Sequence, residues 1–150
     1  RVGVGVTVRR GAPAPNVATV EALKQALLDA QSVVYNQAST GQYLETLFTR
    51  LGIASQIKSK TTRYGNAAQV LEHVIAGKGR EIGFGPLTEI KSFEPKGVVL
   101  VAPLPADVQN YTTYVAAVLT GARAPDSATQ FIRYLTTPAA RQAFAATGVE

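Results

Sequence analysis

Valines at positions 2, 4, 6 and 8 alternate with Gly3, Gly5 and Thr7, a period of two that predicts a strand with one buried face. Gly11-Ala-Pro-Ala-Pro15 ends it. Thr19 then stands as a helix N-cap with Glu21 in the first turn, and Val20, Leu23, Leu27 and Leu28 recur at helical spacing to about Ala30. The order strand, loop, helix then recurs. Ser32-Val-Val-Tyr35 reads as a short buried strand before a helix from Gly41 to Leu51, whose apolar face is Tyr43, Leu44, Leu47, Phe48 and Leu51 and whose stop is Gly52. Thr61-Thr-Arg-Tyr64 reads as another strand. Asn66 caps a helix carrying Val70, Leu71, Val74 and Ile75 that ends at Gly77, and Glu81-Ile-Gly-Phe-Gly85 follows as a glycine-rich strand.

Strands alternating with helices imply right-handed crossovers and a mostly parallel sheet flanked by helices, an α/β fold. After Gly85 the pattern changes. Val98–Val101 and Thr112–Leu119 read as strands separated by the Pro103 and Pro105 turn, without an intervening helix. From Pro125 the chain reads as helical, with Phe131, Ile132 and Leu135 on one face, a break at Thr136-Thr137-Pro138, and a last alanine-rich helix to about Ala146.

With 150 residues, 46% apolar and 17% charged, the chain has enough material for a core without disulfides or metals. It contains no Cys, which removes thiolate metal sites, iron–sulfur clusters, redox dithiols and cysteine nucleophiles together but says nothing about compartment. No apolar run approaches the ~18 residues of a membrane span. The chain has no Met, so the expectation is a piece of something longer rather than a product of ordinary initiation. The net charge of +5 and pI near 9.7 raise the question of nucleic acid. The placement argues against it: residues 1–75 hold eight basic and four acidic groups, 76–150 hold seven and six, and no basic helix or arm appears. The tightest cluster, Lys58, Lys60 and Arg63, reads as a solvated polar loop without the interleaved aromatics of single-strand binders.

Candidate chemistry is sparse. Gly3-Val-Gly5 lies within a strand and Gly77-Lys-Gly79 ends a helix, so neither extends to a nucleotide-binding motif. His73 is the only histidine and is expected to have no role. No nucleophile elbow, carboxylate pair or metal set can be named, and nothing implies a cofactor or catalysis. The better constellation is Asn36-Gln-Ala-Ser-Thr-Gly41, a polar turn between a buried strand and a helix, where backbone N–H groups and the helix dipole make a ready anion site. Ser39 and Thr40 either add hydroxyl donors there or simply cap their own helix. Arg63-Tyr-Gly-Asn-Ala67 has the same form. Two such turns at one edge of a parallel sheet lie where ligands of open α/β sheets bind, so the candidate ligand contacts are Ser39, Thr40, Gly41, Asn66 and Ala67.

The order of GVGVTVRRGAPAP, NVATVEALKQALLDAQSVVYNQASTGQYLETLFTRLGI, VLEHVIAGKGREIGFGPLTEI, VVLVAPLPADVQNYTTYVAAVLTGA and ATQFIRYLTTPAARQAFAATGVE resembles the later part of type 2 periplasmic solute-binding proteins of ABC transporters, molybdate-type group. The resemblance implies two α/β lobes closing on a ligand across a pair of crossing strands. On that pattern residues 1–119 are lobe two with the crossing strands near 2–8 and 112–119, residues 120–150 are C-terminal helices of lobe one, and the N-terminal part of lobe one is absent. It further implies export to the periplasm, a permease as partner, and a small-molecule or oxyanion ligand held by amides and hydroxyls, with the amide donors falling on Thr40 and Ala67. The tyrosine of molybdate binders would fall near Pro86, which supplies neither hydroxyl nor N–H, so molybdate itself is not implied. The alternative is the effector-sensing domain of a transcriptional regulator, which shares the two-lobe fold. Lobe-one helices without their sheet are expected to fold back or to pair chains as a homodimer or by strand exchange.

Overall fold

The alternating valine strand forms as expected, but it lies inside the sheet and runs against its neighbours. β1 (Val2–Arg9) pairs antiparallel with β4 (Glu81–Pro86), Val4 opposite Pro86 and Val6 opposite Phe84, and antiparallel with β5 (Val98–Pro103) on its other side. β2 (Ser32–Asn36) is parallel to both β4 and β3 (Thr61–Tyr64), so the order is β3-β2-β4-β1-β5. Four strands share one direction, as helical crossovers require. This computed structural model describes residues 1–150 throughout.

The period of two decides what each face packs against. Val4 and Val6, with Val33, Tyr35, Ile82 and Phe84, meet α1 (Val20–Asp29), α2 (Ser39–Arg50) and α3 (Ala54–Ile57) in the main core. On the opposite face Gly5 and Thr7 replace the valines, and α4 (Ala67–Ala76) and α5 (Leu87–Phe93) pack there through Leu71, Val74, Ile90 and Phe93. The glycines permit that approach: a Cβ at Gly5 would stand 2.8 Å from Leu87 Cδ2, and one at Gly83 would stand 2.6 Å from Val74 Cγ2. Thr7 is fully buried, and its hydroxyl is satisfied by donating to the Val99 carbonyl at 2.9 Å.

Local signals hold at α1, where Thr19 Oγ1 accepts from Ala22 N–H at 3.1 Å. The other end of that helix is closed by Lys60, whose ammonium donates to the carbonyls of Leu28 at 2.5 Å and Ala30 at 2.7 Å, the favourable sign for a helix C-terminus. The reading of Lys58, Lys60 and Arg63 as one solvated loop is therefore corrected. Lys60 is a cap, and Arg63 lies in β3 and pairs with Glu45 at 2.6 Å.

One element is missed and one expectation fails. The sequence pattern assigns nothing to Leu87–Phe93, yet α5 forms there, a single apolar stripe of Leu87, Ile90 and Phe93 too short for periodicity to declare. The strand expected over Thr112–Leu119 shrinks to β6 (Tyr111–Thr112), which pairs with Gly3 and Val2. β1 begins at Val2, so no strand lies beside the residues after Thr112, and Val115 is left 92% exposed.

Of the two C-terminal helices, α7 (Pro138–Thr147) buries Ala140 and folds back on α5, where Lys91 donates to the Ala146 carbonyl at 3.4 Å and a left-handed Gly148 is seated on Leu87. Val149 bridges to Val2, and Arg1 pairs with Glu150 at 3.1 Å. α6 (Pro125–Leu135) buries no residue, and Phe131 is 60% exposed. A groove of about 850 Å³ runs between the 114–116 segment, α6 and α7, lined by Val115, Ile132, Leu135 and Phe144. No helix is long and apolar enough to cross a membrane.

The two kinds of apolar side chain should respond differently to truncation. Leu27→Ala, in the filled core, is expected to cost about 2–5 kcal/mol in urea unfolding, whereas Phe131→Ser should stay within about 0.5 kcal/mol of the parent. Equal losses would contradict the uncovered placement of α6.

Candidate functional site

The turn after β2 is organised by one buried side chain. Asn36 is 5% exposed, and its Oδ1 accepts from the N–H groups of Ala38 at 3.2 Å and Gly41 at 3.0 Å. This is a capping interaction made from further back than usual, since the N-cap residue Ala38 contributes no side-chain hydrogen bond. It draws the helix start to Ser39, two residues before the Gly41 that apolar periodicity suggests. The first intrahelical bond runs from Gln42 N–H to the Ala38 carbonyl at 3.0 Å, so the amides of Ser39 and Thr40 precede it. Asn36 engages Gly41 and leaves those two without a side-chain acceptor. Thr40 is 5% exposed, and its hydroxyl makes no hydrogen bond within the chain. It is not capping its own helix. Gly41 is required by space: a Cβ there would fall 1.7 Å from the Asn36 carbonyl oxygen.

The turn after β3 lies alongside. Asn36 and Tyr64 are register partners in the β2–β3 ladder, and Gln37 N–H donates to the Tyr64 carbonyl at 2.8 Å. Asn66, extended at φ −146° and ψ 170°, caps α4 by accepting from Gln69 N–H at 3.0 Å. Ala67 is the first helical residue, and its amide meets no side-chain acceptor. Thus Ser39, Thr40, Gly41, Asn66 and Ala67 occupy two neighbouring turns at the carboxyl edge of parallel strands, where two positive helix ends converge. β4 ends at the same edge in Pro86, which passes directly into α5 and offers no N–H.

One functional-edge contact was invisible in the sequence. The Tyr64 hydroxyl lies 2.8 Å from His73 Nδ1 with the rings edge to face, a pair nine positions apart that straps β3 to α4 across the second turn. The hydroxyl donates when the imidazole carries its proton on Nε2. No group of three or more His, Asp or Glu side chains is placed to hold a metal.

Beneath the first turn, Tyr35 is 4% exposed and packs edge to face on Phe48. Burial raises its phenol pKa above the ordinary value, Glu45 adds to the rise, and Arg63 partly opposes it. A group raised in the fold contributes stability that is fully present below its unfolded value near pH ~10 and is lost as pH climbs beyond it. Tyr35→Phe should therefore keep more of its stability than the parent when melting temperatures at about pH 8 and about pH 10.5 are compared; parallel losses would refute the assignment. Gly41→Ala should cost about 3 kcal/mol, because the Asn36 backbone must move or the helix start must yield. A denaturation midpoint within error of the parent would show that the turn relaxes freely.

Comparison with known proteins places this geometry. The model of the bacterial extracellular solute-binding protein family matches residues 2–150. An aconitate isomerase from Pseudomonas sp is 30% identical over 148 residues, 98% of this chain and 55% of that protein. Among solved structures, a substrate binding domain assigned to a molybdenum ABC transporter of Clostridium difficile superposes with a TM-score of 0.78 at 16% identity, covering 99% of this chain and 62% of that one. The Azotobacter vinelandii periplasmic molybdate-binding protein gives 0.62 at 15%, covering 98% and 64%. The chain spans between about half and two thirds of the length of these relatives. At such identities the superpositions speak for the fold, and they agree on a periplasmic-binding-protein architecture. With the match running over the whole of residues 2–150, the chain belongs to the bacterial extracellular solute-binding protein family.

Proposed function

We propose that this chain forms one wall and the hinge of a cleft that closes on a small anion, and that the loaded protein serves an ABC importer by docking on its membrane permease after export to the periplasm. The observation that carries the reading is the pairing of two helix N-termini at one sheet edge, with the Ser39, Thr40 and Ala67 amides meeting no side-chain acceptor and a Thr40 hydroxyl that makes no hydrogen bond within the chain beside them. An anion there gains charge-assisted hydrogen bonds without a fixed counter-charge. Asn36 and Asn66 hold the turns in place, and Gly41 lets the chain pass close enough to form the first one.

On this reading residues 1–119 make up lobe two with the crossing strands, and 120–150 are helices of lobe one. The crossing is where β6 lies on the start of β1, and Gln109 supports it. Its side-chain amide accepts from Val4 N–H at 2.8 Å and donates to the Val4 carbonyl at 3.0 Å, standing in for a strand neighbour just before Tyr111 and Thr112 pair with Gly3 and Val2. A ligand that touches both lobes favours the closed state by its differential affinity, and that difference is what a permease would read.

Proline scanning tests the amides cleanly. Proline is well tolerated at the first position of a helix, and the residues before Ser39 and Ala67 are already extended. Ser39→Pro and Ala67→Pro should leave the melting temperature in place while weakening the tightest anion found by calorimetry among molybdate, phosphate and aconitate by roughly 1–3 kcal/mol each. Affinity unchanged in both variants would remove these turns from the site. The likeness to an aconitate isomerase favours a second reading, in which a bound tricarboxylate is converted rather than only carried. Proton NMR of aconitate incubated with the protein separates the two: an unchanged isomer supports carriage, and a new isomer supports catalysis.

A further inference from the structure

A second cavity, of about 390 Å³, opens over the edge strand β3 on the face that carries α2 and α3. Its position follows from the ladder. Tyr35 and Arg63 are register partners, so both side chains leave the sheet on the same face. β3 has no further strand beyond it, and the space above it is closed only in part, by Phe48 from α2 and by Ala54, Ile57 and Lys58 from the α3 turn. This volume is at the lower end of the range for small-molecule pockets.

The lining carries free hydrogen-bonding groups. The Tyr35 hydroxyl makes no hydrogen bond within the chain and, although the residue as a whole is buried, its oxygen stays open to the cavity. Beside it, Arg63 uses one nitrogen, Nη1, to meet Glu45 Oε1 at 2.6 Å, which leaves other guanidinium N–H groups to offer. Lys58 forms no ion pair and no side-chain hydrogen bond. One carboxylate against two cations leaves the lining with a positive surplus, while Phe48, Ala54 and Ile57 supply an apolar floor.

We infer that this cavity is a second ligand site, separate from the two turns, that takes a small monocarboxylate with an apolar body. The carboxylate would accept from the Tyr35 hydroxyl, the Lys58 ammonium and the outer N–H groups of Arg63. The body would lie on Phe48, Ala54 and Ile57. The binding is non-covalent and leaves the Arg63–Glu45 pair intact, because only the unused donors are engaged. The site stands independently of the anion-binding role proposed for Ser39, Thr40 and Ala67.

Benzoate is the probe, titrated into the protein and followed by backbone amide NMR. Saturable shifts are expected at Tyr35, Glu45, Lys58 and Arg63. Tyr35→Phe, which keeps the ring and its contact with Phe48, and Lys58→Gln, on an exposed side chain, should each weaken binding about tenfold, the scale of one charge-assisted hydrogen bond. Benzyl alcohol, with the same ring and no charge, should bind at least about tenfold more weakly. The inference is overturned by shifts that never saturate, by shifts confined to residues 39–41 and 66–67, or by benzoate affinity that neither variant alters. Since the readout is local to the cavity, it holds or fails whether or not the two turns bind an anion.

Discussion

Everything in this molecule is arranged around a strand that must be buried on both faces yet runs against the others. β1 answers with two different faces: valines toward the large core, and glycine and threonine toward α4 and α5. Branched side chains fill space between the sheet and helices set back from it, while glycines let other helices come close. The same alternation recurs on β4, where Ile82 and Phe84 face the large core and Gly83 receives Val74. Once those faces are set, β2, β3 and β4 can share only one direction, and their carboxyl ends must gather at one edge. The candidate ligand turns are consequences of that packing.

Much of this architecture is legible in the sequence because the signals are local. A period of two at Val2–Val8, a Thr19 cap followed by Leu23 and Leu27, and an Asn66 cap followed by Val70, Leu71 and Val74 each specify their element within one or two turns of chain. The two turns themselves are legible for the same reason, since small polar residues between a buried strand and a helix are the usual material of turns and caps. The failures are those of context. α5 is seven residues long and packs where Gly5 of β1 leaves room for Leu87 and Ile90. Residues 113–119 have ample strand propensity and no neighbour to pair with, and a strand is stable only as part of a ladder. The Tyr64–His73 strap and the Lys60 cap join residues that no spacing rule connects.

The basic surplus has a similar lesson. A pI near 9.7 suggests a surface built to meet a large anion, but the structure spends its cations singly. Lys60 closes α1, Arg63 meets Glu45, Arg1 meets Glu150, and Lys96 lies 3.9 Å over the Phe93 ring. None converges on the two turns. Backbone amides there would offer an anion direction without bulk or a mobile charge.

The uncovered face of α6 fits the same scheme. A helix whose apolar side chains include Phe131, Ile132 and Leu135, and which buries none of them, is ordinarily half of an interface. α7 touches it but leaves Phe131 and the groove open, its own end being directed at α5 through Gly148. In the two-lobed arrangement proposed above, α6 would cover the sheet of the other lobe, and the groove beside Val115 would take the edge of that sheet. The 113–119 segment then becomes a strand for the reason it is not one here, because a neighbour supplies the missing hydrogen bonds. The hinge would also gain its stiffness from that neighbour. Val4, held on both its backbone groups by Gln109, and Val2 and Gly3, paired with β6, are the points at which this chain fixes the crossing, and beyond Thr112 closure would depend on how firmly the second lobe grips the continuation of β6.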